Sequence, residues 1–99
     1  MAKTLNNHQT WRAEVIELRL MNEEHLYREA YDIAIQVLEA EHDDAAALTR
    51  IAKRLGGTVR RASSLESNRI EASVTLAAVR HEVAAYFVAE RANMIEAAR

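Results

Sequence analysis

Two histidine–carboxylate pairs and two lone arginines are the side chains most able to do chemistry in this chain. Glu39 and His42 stand three apart, so on a helix they project together, as the carboxylate–imidazole pairs that hold metal ions inside helix bundles do. Such an ion needs further carboxylates on facing helices and a second pair, which the sequence does not supply at matching spacing. His81-Glu82 is followed by Ala84 and Ala85, so the second imidazole of a zinc-peptidase helix is missing. The four histidines, His8, His25, His42 and His81, are dispersed, and none sits in a nucleophile–base–orienter pattern. His81 falls on an apolar helical stripe and is expected at the edge of the core. Arg80 and Arg91, on the same predicted helix, could face a small anion. The expectation is a non-catalytic protein with no cofactor, no metal and no small-molecule substrate.

Positive charge is the next feature able to do something. Residues 48–70 carry Arg50, Lys53, Arg54, Arg60, Arg61 and Arg69 against Glu66 alone, a balance of +5. Residues 1–47 carry four basic against ten acidic side chains, a balance of -6. A segment this basic fits a negatively charged partner, which could be DNA or the acidic first half of another copy. Leu48, Ile51, Ala52, Leu55 and Gly56 stand where a helix-turn-helix places its first helix and turn. Val59, Ala62 and Leu65 would then line the second helix, with Arg60, Arg61 and Ser64 facing DNA. Against that reading stand the weakly apolar second helix and a pI near 6.1 rather than above 9.

The aromatic residues suggest docking instead. Trp11, Tyr27, Tyr31, Tyr86 and Phe87 are the chain's full complement, and aromatics with arginine dominate interface hot spots. Tyr86 and Phe87 are consecutive, so on a helix they point about 100° apart and cannot both enter one seam.

Composition dictates what must position these groups. The chain has 99 residues, no Pro, no Cys and only two Gly, adjacent at Gly56-Gly57. Few residues can therefore break a helix, and good helix formers dominate. Zero cysteines exclude disulfides and thiolate metal sites. The N-terminus lacks the apolar core of a secretory signal, and no apolar run reaches the ~20 residues of a membrane span, so a cytoplasmic protein with no membrane partner is expected.

Periodicity then lays out the elements. Residues 1–8 read as a flexible polar arm, and Thr10 as the cap of a helix in which Trp11, Val15 and Leu18 share one face. Leu26, Ala30, Ile33, Ala34, Val37 and Leu38 follow the 3.6-residue period, as do Leu48, Ile51, Ala52 and Leu55. Residues 11–55 thus form a helical arm, with a break or kink expected near Asn22; Asp43-Asp44 reads equally as the start of a new helix or as part of a continuous one, which leaves the number of helices before Gly56 open. Gly56-Gly57 reads as a left-handed helix stop, with Lys53 and Arg54 in the final turn. Residues 58–64 read as a connector and 65–98 as one long C-terminal helix, apolar on two sides. One side holds Ile70, Val74, Ala77, Ala84, Val88 and Ile95, and the other Leu76, Val79, Val83, Phe87 and Met94.

The expected fold is all-α and a single domain, either a long helical hairpin or a small helix bundle, turning at Gly56-Gly57 and completed by oligomerisation. A dimer is favoured, with Leu76, Val79, Val83, Tyr86 and Phe87 as the self-association face. The expected function is that of a helical adaptor, chaperone-like or regulatory protein of bacterial or phage type, which binds another protein. The alternative is a DNA-binding regulator that uses the basic segment at 48–65.

Overall fold

Asn6 starts the first helix by exchanging bonds with Gln9. The Asn6 side chain accepts from the Gln9 backbone N–H at 2.8 Å, and the Gln9 side chain accepts from the Asn6 N–H at 3.1 Å. This reciprocal cap sets α1 at Asn7–Asn22, one turn earlier than Thr10 would. The computed structural model describes residues 5–66 and 71–99, with the backbone alone at Leu65 and Glu66. Along them run α1, α2 (Glu24–Ala40), α3 (Asp44–Arg54), α4 (Gly56–Glu66), α5 (Ser73–Ala89) and α6 (Arg91–Ala97). No strand occurs among the described residues. The fold is all-α, and of the two architectures anticipated, the small bundle is the one formed.

The break expected near Asn22 is present, and the open choice at Asp43-Asp44 resolves as a second break, each for its own reason. Asp43 caps α3, its carboxylate accepting from the Ala46 N–H at 2.8 Å. Asn22 does not cap α2. Its side-chain amide donates to the Leu18 carbonyl at 2.9 Å and so satisfies the end of α1, while extended Glu23 separates the two helices.

Gly56-Gly57 is not a left-handed stop. Neither glycine has positive φ, and both lie inside α4. A single residue, Leu55, separates α3 from α4 in a right-handed conformation, and the Val59 N–H reaches the Leu55 carbonyl at 2.9 Å. The expected connector at 58–64 is therefore helix. Leu55, Val59 and Ala62 are fully buried, and their burial outweighs the ~1 kcal/mol by which each glycine disfavours a helix. A Cβ at Gly56 would meet no atom within 4 Å, and one at Gly57 only the end of Arg61 at 3.7 Å. Gly56→Ala and Gly57→Ala should each therefore stabilise the protein by about 0.5–1 kcal/mol in urea unfolding. A left-handed cap would give the opposite sign.

The long C-terminal helix is also divided. Leu65 and Glu66 belong to α4, Glu71 and Ala72 are non-helical, and a turn at Glu90 separates α5 from α6. Arg91 anchors the second break, donating to the Leu38 carbonyl at 2.8 Å and to Asp44 at 3.0 Å. It closes the end of α2 and the start of α3 together.

Helix α5 is apolar on both sides because it is central. It packs along α3 and α1, with α4, α2 and α6 completing its surroundings. Val79 and Val83 are 0% exposed and Phe87 1%, all enclosed by the chain's own helices. These three cannot form the self-association face expected of them, since burial within one copy removes them from any second one. Leu76 is half-buried, and Tyr86 remains 43% exposed. The remaining core comes from Ile16 and Leu20 of α1, Leu26 and Leu38 of α2, and Ile51 of α3. Among the described residues no helix is long and apolar enough to cross a membrane.

Candidate functional site

Helix α1 has more apolar surface than the core can take. At about 100° per residue, Ala13, Ile16 and Leu20 share one side, and all three are buried. Trp11, Val15 and Leu18 share the opposite side. The expected stripe exists, but it faces outward. Trp11 is 55% and Leu18 64% exposed, with Val15 half-buried between them. Below Leu18 the surface dips into a shallow hollow of about 270 Å³ bordered by Val15, Leu18, Arg19, Asn22 and Glu23. The His8 ring lies 6.0 Å from the Trp11 ring, and the Arg12 guanidinium lies 5.6 Å from its centroid.

The two flanks of the stripe differ in charge. On one side stand exposed Glu14 and half-buried Glu17, and on the other Arg19, 3.7 Å from Glu23. Burial, with the nearby charges of Glu82 and Glu14, raises the Glu17 carboxyl above its usual range. Just above the ordinary carboxylate pKa the folded chain thus keeps a proton that the unfolded chain releases, so folding stability falls as pH rises through that window. Glu17→Gln should therefore be more stable than the parent at neutral pH, and the gain should vanish below about pH 4. Thermal unfolding followed at both pH values checks this.

An ion pair fixes the helix that carries the stripe. Arg12 Nε donates to Glu71 at 2.8 Å and Nη2 lies 2.7 Å from the same oxygen, with side chains only 6% and 5% exposed. The pair ties the first turns of α1 to the residues just before α5. Sequence reasoning missed it because the partners stand 59 positions apart and neither carries a local signature.

The basic segment is dispersed in space. Arg50, Lys53 and Arg54 share an exposed face of α3 and, with Gln36, Val37 and Ala40, border a hollow of about 280 Å³. Arg50 leans toward Glu41 at 3.7 Å, and Arg54 donates to Gln36 at 3.0 Å. Arg61 instead bonds to Glu29, which also accepts from the Thr58 hydroxyl at 2.8 Å. The Thr58 bond foremost, with Arg61, holds the Glu29 carboxyl below its usual range despite partial burial. Arg60 is exposed, and Arg69 lies outside the described residues. Val59 and Ala62 point inward as a second helix-turn-helix element requires, but a one-residue junction replaces the turn between the helices.

The remaining candidates stay apart. His81 is exposed on the outside of α5, 4.0 Å from Glu82, rather than at the core edge. Glu39 and His42 are both exposed. Arg91 is engaged with Leu38 and Asp44, which removes it from an anion pocket with Arg80. Among the described residues no three His, Asp or Glu side chains converge on a point where a metal could sit. Phe87 gathers Tyr86, Tyr27 and Tyr31 at ring distances of 5.4, 6.0 and 6.3 Å, so the aromatics other than Trp11 form one cluster.

No protein-family model, curated protein or solved structure matches this chain.

Proposed function

We propose that the protein is a non-catalytic helical adaptor or regulator that acts as an oligomer and docks onto its protein partner through the outward face of α1. The observation that carries this reading is the exposure of Trp11 and Leu18, seven positions apart on one line of a helix whose core obligations other residues meet. Isolated exposed apolar residues are ordinary on a protein surface. A continuous stripe led by a tryptophan is less so, because tryptophan contributes most to binding when a partner excludes water from it.

Exposure also makes the reading easy to test, since charges at these positions should leave the fold intact. The variant Trp11→Glu/Leu18→Glu should melt within a few degrees of the parent, whereas sedimentation velocity should show concentration-dependent association for the parent and none for the variant. Association that persists in this variant would place the docking surface elsewhere.

The DNA-binding alternative is supported by one arrangement, the Arg50, Lys53 and Arg54 face of α3. Retardation of random duplex at low salt, lost on reversing those three charges, would favour it. Partial neutralisation by Glu41 and the pairing of Arg61 with Glu29 weigh toward a protein partner.

A further inference from the structure

We infer that the outward stripe of α1 is seated against the same stripe of a second copy, in a parallel, in-register helix pair. The inference rests on the docking role proposed for α1 and names the partner. Trp11, Val15, Leu18 and Asn22 repeat at intervals of four, three and four, the alternation of a coiled-coil seam with Trp11 and Leu18 at d and Val15 and Asn22 at a. The residues that face the chain's own core, Ala13, Ile16 and Leu20, occupy the far side of that repeat, so one helix can serve both contacts.

Charge decides the orientation. Glu14 falls at g and Arg19 at e, five positions later. In a parallel pair the g side chain of one helix meets the e side chain of the next heptad on the other. Glu14 of each copy therefore meets Arg19 of its mate, twice by symmetry. In an antiparallel pair like positions meet, which sets Glu14 on the acidic flank of the mate and Arg19 on the basic one. Asn22 at an a position adds a preference for register, since the donor and acceptor left over from its bond to the Leu18 carbonyl meet those of the mate only when the two are aligned. The helix is already formed and capped, so association orders little further backbone. With about three turns of seam, the dimer is a weak one.

The absence of cysteine makes the geometry directly readable. Asn22→Cys, which introduces the only thiol of its chain, should form a disulfide-linked dimer under mild oxidation. Thr49→Cys on the exposed side of α3 should not. Glu14→Arg and Arg19→Glu should each weaken association at least about ten-fold, and the double charge swap should restore it. A dimer that needs Trp11 and Leu18, but neither cross-links in the Asn22→Cys variant nor responds to the swap, overturns the parallel pair while leaving the docking face in place. A dimer indifferent to Trp11 and Leu18 overturns both. A protein that stays monomeric at every concentration, with α1 gaining hydrogen-exchange protection only on a different protein, overturns the second copy as occupant.

Discussion

Glu71→Leu should destabilise the protein by about 3–5 kcal/mol, because it takes the compensating carboxylate from the Arg12 guanidinium in a site that excludes water. Both side chains are about 95% buried and bonded to each other at 2.7–2.8 Å. A domain of this size has a total stability of roughly 5–15 kcal/mol, and each kcal/mol shifts its melting temperature by about 4–8 °C. The single variant is thus expected to melt roughly 12–40 °C below the parent. Arg12→Met/Glu71→Leu should recover most of the loss, since replacing both partners of a buried ion pair with apolar groups is often neutral or better. Urea unfolding of the two variants checks the pair. A double variant no more stable than the single would assign the loss to something other than the broken Arg12–Glu71 pair.

The second large effect concerns the centre of the bundle. Phe87→Ala should cost about 3–5 kcal/mol through lost burial and the cavity left among Tyr27, Tyr31 and Val83. Its neighbour in sequence gives the control. Tyr86→Ala removes a half-exposed ring whose main asset is its edge contact with Phe87 at 5.4 Å, worth about 1 kcal/mol. Were Phe87 an interface residue between copies, its loss would act on association rather than on the unfolding of the single chain, and the stability of dilute protein would barely change. The unequal pair of losses therefore tests the correction that enclosure of Phe87 makes to the expected self-association face.

The class of fold was legible because it depended on absences. No proline and two glycines leave helices as the default, whereas Asp43 offered a cap that the unbroken apolar period around it left undecided. The two greasy sides of α5 were legible too, as was their meaning that the helix sits among several neighbours. What the periodicity could not show was whether those neighbours belong to the same chain. Gly56-Gly57 misled because propensity is worth ~1 kcal/mol per residue, less than the burial of Leu55, Val59 and Ala62 around it. In α1 both the Trp11 line and the Ile16 line satisfy helical spacing, and spacing alone does not say which one faces the core. The inward line proved to be the one whose mate, across the fold, is anchored by Arg12 and Glu71, a pairing no local pattern betrays. Of the candidate site, then, Trp11 was legible only as one of five aromatics suited to docking, and the α3 trio as part of a basic segment. The charged flanks of α1 acquire meaning only once the helix has been oriented.

Trp11 is the only tryptophan in the chain, so fluorescence excited at the red edge of absorption, where the three tyrosines do not absorb, reports on the proposed docking face. Emission and acrylamide quenching of the unaltered protein, followed across a wide concentration range, test whether a second copy covers Trp11. Red-shifted, readily quenched emission is expected at high dilution, moving to the blue and becoming protected as the protein is concentrated. Emission and quenching that stay constant over the whole range would contradict a docking face on α1 that a second copy covers.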